Sequence, residues 1–132
     1  SDVPQVEYKN ILSYEGNKEN KYYVIVYSTT CSYCDNLEAF VVDYYNQTKN
    51  KSELPYIYVL CVDKVENKEI KAKSDDEYNI FMGTKDYQKI KVSAEPALIE
   101  VTNQSLTKIV SSKTTRYPFT EIKKLLNNTL GE

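Results

Sequence analysis

The stretch 22–34, Tyr-Tyr-Val-Ile-Val-Tyr-Ser-Thr-Thr-Cys-Ser-Tyr-Cys, decides how this chain folds. Its first half is a continuous apolar run of aromatic and β-branched residues, which predicts a central strand covered on both faces. Its second half brings two cysteines, Cys31 and Cys34, to the start of a segment with helical spacing. A strand that ends in Cys-x-x-Cys and opens a helix is a recognised redox arrangement. The unpaired N–H groups of a helix start also favour a thiolate over a thiol.

The residues after the cysteines predict a strand–helix–strand unit. A helix is expected from about Cys31 to Thr48, with one apolar stripe, and a second apolar run spans Tyr56 to Val62. Strand, helix and strand in this order imply a right-handed crossover and two parallel neighbouring strands. The stripe consists of Cys34, Leu37, Val41, Tyr44 and Tyr45.

The last third of the chain predicts a hairpin and a closing helix. Pro96 opens a strand at 97–101, a turn follows at 102–105, and 106–110 returns as an antiparallel strand. The tail 118–130 has proline at an early helix position. It also carries apolar residues on one face, namely Phe119, Ile122, Leu125, Leu126 and Leu130.

Two parts of the chain are less regular. Residues 1–20 are polar, with a short peripheral strand or helix expected between Tyr8 and Tyr14. Residues 65–73 are charged and predict a solvent-facing helix. Ser74 and the acids after it predict another helix start, with Gly83 as its end.

Composition excludes several classes of function. The 132 residues form one domain, 1–132, with 41% hydrophobic residues and a formal net charge of −2. This charge does not favour binding to nucleic acid or to an anionic membrane. No apolar run approaches the length of a membrane span.

The absence of histidine is the most informative negative feature. It removes Cys–His and Ser–His–Asp catalysis and imidazole metal sites. The three cysteines cannot complete a four-ligand zinc site unless a carboxylate joins them. A soft-metal site at Cys31, Cys34 and Cys61 is therefore a minor alternative. Cys61 lies in the second apolar run and is expected to be a buried, unreactive side chain.

With these parts in this order, the chain resembles the thioredoxin family over about residues 21–130. The resemblance implies an α/β fold with a central mixed sheet of four to five strands, flanked by helices on both faces. It implies that Cys31 is the exposed attacking thiol and Cys34 its buried resolving partner. It also implies that Pro96 follows a cis peptide bond and faces the dithiol, and that 1–20 is an extension and 64–89 carries an insertion.

Three positions depart from the family pattern. Thr30 replaces the usual tryptophan before the first cysteine, and Ser32-Tyr33 replaces the usual Gly-Pro between the cysteines. Ile25 stands where the family carries a buried carboxylate, so a proton must reach Cys34 through water or another group. Glu95, next to Pro96, is a candidate for that acid–base role or, alternatively, for contact with substrate.

The electrostatic balance at Cys31 is mixed. The helix start lowers its thiol pKa below the free value of about 8.5, but Asp35 and Glu38 in the first helical turns oppose a thiolate. We therefore expect a moderate depression of this pKa.

The resemblance implies a thiol–disulfide oxidoreductase that exchanges disulfides with protein substrates and needs no bound cofactor. Electrons would come from a reductase or a membrane redox partner. Ser32, Tyr33, Glu95 and Pro96 are expected to contact the substrate, with no metal at the site. The motif is compatible with reduction, oxidation and isomerisation.

A second hypothesis is a non-enzymatic module that uses the same scaffold to bind a partner, such as a secretion accessory factor. The altered residues around the cysteines favour it, whereas the retained Cys-x-x-Cys opposes it. We further expect a bacterial, monomeric protein in the cell envelope or secreted, with a cytoplasmic location as the alternative.

Overall fold

The structure, a computed structural model, describes residues 2–74, 77 and 81–131. A four-stranded mixed sheet lies at its centre, in the order β2-β1-β3-β4. β1 runs parallel to β2 and antiparallel to β3, and β3 runs antiparallel to β4. This arrangement confirms the predicted mixed sheet. Its strands are Lys21–Tyr27 (β1), Tyr56–Cys61 (β2), Ala97–Thr102 (β3) and Ser105–Val110 (β4).

The central strand follows from its composition. Five consecutive residues of β1, 22–26, are buried, so both faces of this strand are covered, as predicted. Aromatic and β-branched residues suit such a pleated, enclosed position. Between β3 and β4, Asn103 and Gln104 both have positive φ, of 51° and 66°. A two-residue hairpin turn of this kind requires positive φ at both positions.

Two α-helices pack on one face of the sheet: Ser32–Thr48 (α1) and Pro118–Leu130 (α2). α2 starts with Pro118 in its first turn and ends at Gly131, whose φ of 83° is left-handed. Its predicted apolar face is confirmed, with Ile122 and Leu126 almost fully buried. The two helices and this face of the sheet share one apolar core, which includes Ile25, Leu37, Val41, Tyr44, Leu98, Ile122 and Leu126.

Short 3-10 helices cover the opposite face, over Tyr8–Asn10, Val65–Ile70 and Tyr87–Lys89. The helix predicted at 65–73 is therefore shorter and tighter, and it is not simply solvent-facing, because Asn67 and Ile70 are buried. These two buried residues carry no charge, and the prediction missed them because the charged residues dominate the composition of the segment. The helix predicted from Ser74 onward falls largely on 75–76 and 78–80, outside the described residues.

The N-terminal residues contribute to the apolar cores on both faces of the sheet: Val3 packs in the core shared with α1 and α2, and the later apolar residues pack in the core under the 3-10 helices. The main chain pairs with β2 at Gln5 and Val59, and the Val6 N–H donates to the Val59 carbonyl at 2.9 Å. Between Tyr8 and Tyr14 the structure has a short 3-10 helix and turns. Buried apolar side chains of this segment are Val3, Val6, Tyr8, Ile11 and Leu12.

None of the helices in the described ranges is long and apolar enough to cross a membrane.

Candidate redox site

The two cysteines of the motif form a disulfide at the start of α1, with their Cα atoms 5.2 Å apart. Cys31 follows the loop that leaves β1 and is the N-cap residue of the helix, whereas Cys34 lies in its first turn. Cys31 is partly exposed, and Cys34 is only 8% exposed. The pair therefore lies just past the carboxyl end of β1. The start of α1 leaves Cys31 partly exposed and buries Cys34.

The start of the helix provides hydrogen bonding to the outer sulfur. The Cys34 N–H donates to the Cys31 Sγ at 3.1 Å. This N–H is among the helix-start donors that have no intrahelical partner, so the sulfur takes the place of an ordinary capping oxygen. A thiolate on Cys31 would accept the same bond more strongly, because charge-assisted hydrogen bonds are the stronger ones.

The segment before β3 contacts Cys31 from the other side. The Glu95–Pro96 peptide bond is cis, and the Glu95 carbonyl oxygen lies 3.5 Å from the Cys31 Sγ. Pro96 itself is buried. The Glu95–Pro96 peptide therefore lies beside the Cys31 sulfur, the side that the resemblance implied.

The carboxylate of Glu95 is engaged by a residue that the sequence did not point to. Lys71 Nζ donates to Glu95 Oε2, and the Glu95 side chain is only 9% exposed. Lys71 follows the 3-10 helix Val65–Ile70, and its local sequence is an ordinary charged stretch. Nothing in that stretch distinguishes it from the neighbouring lysines.

The two residues between the cysteines are exposed. Ser32 and Tyr33 both lie on the surface, with Tyr33 62% exposed. The Tyr33 ring packs loosely on Phe119 of α2, with ring centroids 6.1 Å apart. An aromatic face is therefore available to a partner directly beside the disulfide.

A cavity of about 340 Å³ lies behind Cys34. Ile25, Leu37 and Val41 give it apolar walls, and Asp35 and Glu38 of α1 contribute carboxylates. Glu95 is not among the described residues that line it. Ile25, which stands where the resemblance implies a carboxylate, thus lines the same cavity as Cys34. Glu38 is a lining residue that sequence reasoning did not connect with Cys34, although the two lie one helical turn apart.

The loop before the cysteines is held by a second carboxylate. Asp63, just after β2, accepts hydrogen bonds at 2.7 Å from both the N–H and the Oγ1 of Thr29. These bonds hold the pKa of the Asp63 carboxyl below its usual value. Sequence alone showed Asp63 only as the end of an apolar run.

Cys61 is buried and unpaired, and its Sγ lies 3.8 Å from Asp63 Oδ2. It takes no part in the Cys31–Cys34 disulfide. Within the described part of the chain, no three or more Cys, Asp or Glu side chains come together to hold a metal ion.

No family model matches the sequence, and no curated protein matches it. Solved structures are similar over nearly the whole chain. Thioredoxin f2 of Chlamydomonas reinhardtii has a TM-score of 0.55 at 12% identity, covering 96% of this chain and 94% of that chain. Oxidised mitochondrial thioredoxin 3 of Saccharomyces cerevisiae has a TM-score of 0.55 at 15% identity, covering 96% of this chain and 94% of that chain.

The thioredoxin of Malassezia sympodialis is similar in the same way, with a TM-score of 0.55 at 15% identity over 92% of this chain and 91% of that chain. This chain therefore has the thioredoxin fold, with a Cys-x-x-Cys disulfide at the start of α1.

Proposed function

We propose that this protein is a thiol–disulfide oxidoreductase that exchanges disulfides with protein substrates through Cys31 and Cys34. The observation that carries the proposal is the disulfide at the helix start, with one cysteine partly exposed and the other buried. Exchange needs an accessible thiolate, a second thiol within reach and a surface for the partner. The likeness to thioredoxins supports the scaffold for this chemistry, and the two cysteines supply its reacting atoms.

In the reducing direction, the Cys31 thiolate attacks one sulfur of a substrate disulfide. A mixed disulfide forms, and the other substrate sulfur leaves as a thiolate. Cys34 then loses its proton and attacks the Cys31 Sγ, which closes the Cys31–Cys34 disulfide and releases the second substrate thiolate. Two electrons pass from the dithiol to the substrate, and a reductase or membrane redox partner returns them. The same steps in reverse introduce a disulfide.

The partner chain is proposed to lie across Ser32, Tyr33, Glu95 and Pro96. Tyr33 offers an exposed ring, and the segment before β3 offers backbone that an extended peptide can pair with. For Glu95 we favour contact with substrate over acid–base catalysis. Its carboxylate is paired with Lys71 and is not among the groups lining the cavity at Cys34. The envelope location, bacterial source and monomeric state remain predictions.

An insulin-reduction assay with dithiothreitol as electron donor tests the proposal. We expect turnover above the dithiothreitol background for the natural protein and its loss in Cys31→Ser. Cys61→Ala is the matched control, because it removes a thiol outside the disulfide and should retain turnover. If the natural protein shows no turnover in any redox buffer, the alternative of a non-enzymatic binding module gains support.

A further inference from the structure

One residue beside the dithiol both contacts Cys31 and carries a mostly buried charge. The Glu95 carbonyl oxygen lies 3.5 Å from the Cys31 Sγ, and the Glu95 carboxylate is paired with Lys71. The Glu95 side chain is 9% exposed and that of Lys71 is 36% exposed. A carboxylate so enclosed is costly unless a cation compensates it.

Backbone pairing fixes the position of Lys71. The Val92 N–H donates to the Ile70 carbonyl, and the Ala72 N–H donates to the Val92 carbonyl, each at 2.9 Å. Ile70 and Val92 are both fully buried. The main chain on either side of Lys71 is thereby fastened to the segment that leads to Glu95. Tertiary structure therefore places the Lys71 ammonium group beside the Glu95 carboxylate.

Three further carboxylates belong to the start of α1 and to the loop before it. Asp35 and Glu38 come from the first turns of α1, and Asp63 is bound to the loop through Thr29. A further unpaired carboxylate at Glu95 would disfavour a thiolate on Cys31. Paired with Lys71, Glu95 adds no net charge beside the sulfur.

We propose that Lys71 is a positioning residue for the redox pair. Lys71 neutralises the Glu95 carboxylate and holds it in place, so that the negative charge of Glu95 does not disfavour the Cys31 thiolate. This rests on the proposed function only in taking Cys31 as the attacking thiol. The equilibrium that reports it is the reduced dithiol plus oxidised glutathione going to the protein disulfide plus two reduced glutathiones. A less stable thiolate shifts this equilibrium toward the protein disulfide.

The test compares Lys71→Met, Glu95→Gln and the double variant with the natural protein. The apparent pKa of Cys31 is measured from its alkylation rate against pH, and the equilibrium constant from glutathione titration. For Lys71→Met we expect the pKa to rise by about half a pH unit and, at a pH above the Cys31 pKa, the disulfide to be favoured about threefold. Glu95→Gln should shift both quantities the opposite way, and the double variant should return close to the natural values.

Lys73→Met is the matched control. Lys73 lies in the same segment and pairs with Glu69 at 3.8 Å, with both side chains well exposed, so neither quantity should change. Shifts of the same sign in Lys71→Met and Glu95→Gln, or no shift in either, would overturn the proposal. If Lys71→Met does not fold, Glu95→Gln decides alone: a lowered pKa supports the proposal and an unchanged one overturns it. These assays use no protein substrate, so a failure of insulin reduction is seen separately.

Discussion

At the scale of single residues, Asp63 connects the end of β2 to the loop that carries the cysteines. Its carboxylate accepts two hydrogen bonds from Thr29, both at 2.7 Å, across 34 positions of sequence. Thr29 lies two positions before Cys31, in the segment where the chain leaves β1 and turns into α1. Asp63 therefore restrains the loop that leads to Cys31, through bonds to Thr29 rather than to the disulfide.

For Asp63→Asn we expect a lower Tm at neutral pH, because a neutral amide accepts these bonds more weakly than a carboxylate. The folded pKa of Asp63 is lowered, so its stabilisation is present above the unfolded value of about 3.9. The stabilisation is lost as the pH falls through the folded pKa. The difference in Tm between the two proteins should thus shrink in acid. Thermal unfolding of the oxidised proteins at pH values above and below the folded pKa of Asp63 will measure it.

Asp43→Asn is a suitable comparison, since Asp43 accepts a single bond from Gln47 on the exposed side of α1. A Tm for Asp63→Asn that equals the natural one at neutral pH would contradict the role given to Asp63.

At the scale of elements, one buried amide joins three parts of the chain. Asn67, in the 3-10 helix Val65–Ile70, is fully buried. Its Oδ1 accepts from the Tyr8 N–H at 2.9 Å, and its Nδ2 donates to the Cys61 carbonyl at 2.9 Å. The side chain thus satisfies backbone groups of the N-terminal segment and of β2. This explains how a charged segment and a polar N-terminus cover one face of the sheet.

Asn67→Ala is expected to destabilise the protein substantially. It leaves the buried Tyr8 N–H without its partner, at about 1–3 kcal/mol, and removes the shorter of two hydrogen bonds to the Cys61 carbonyl, at about 1 kcal/mol, since the Lys64 N–H still donates there at 3.4 Å. Urea unfolding should therefore show a loss of about 2–4 kcal/mol in the free energy of unfolding. Asn36→Ala, at an exposed position of α1, should change it by less than about 0.5 kcal/mol. An equal, small effect of both substitutions would refute the connecting role.

At the scale of the whole molecule, tyrosine hydroxyls hold the sheet and α1 to the surrounding loops. The chain has 13 tyrosines. Among the tyrosines that the structure describes, four hydroxyls donate to main-chain carbonyls at 2.7 or 2.8 Å: Tyr8 to Ile90, Tyr22 to Ile11, Tyr44 to Pro55 and Tyr58 to Glu15. Burial raises the pKa of Tyr22 and of Tyr58 to about 12. These bonds require the protonated hydroxyl, so the fold depends on it.

The protein should accordingly lose stability in alkali. A pKa raised in the folded state contributes stability that is complete below the unfolded value of about 10. It is lost as the pH rises toward about 12, the folded value of Tyr22 and Tyr58. Urea unfolding across this range should show a falling free energy of unfolding, and the tyrosinate absorbance of the buried side chains should appear together with loss of circular dichroism.

In Tyr22→Phe the free energy of unfolding should be lower by about 1 kcal/mol at neutral pH and should fall less steeply in alkali. Tyr117→Phe, at a side chain that is 63% exposed, should leave both unchanged. Tyrosinate absorbance that reaches its full value while the dichroism is still native would disprove the account.

Local sequence patterns determined most of the architecture. The apolar run 22–27, the helical spacing after Cys34, the proline-led hairpin from Pro96 and the amphipathic tail all predicted elements within one or two residues of their observed bounds. They succeeded because burial of a strand or a helix face leaves a periodic pattern in a few consecutive residues. The same patterns placed Cys31 and Cys34 at a helix start, whereas the place of Glu95 beside them was implied by the resemblance to the thioredoxin family.

Only the tertiary structure decided what surrounds the dithiol. Lys71 and Glu95 are 24 positions apart, Thr29 and Asp63 34, and Tyr8 and Asn67 59. Each pair joins a polar side chain to a distant loop, and no periodicity marks such partners, because they meet only when the layers pack. The sequence by itself thus determined the sheet, its helices and the Cys31–Cys34 motif. Packing decided the charges and hydrogen bonds around it, since these depend on distances that local patterns do not encode.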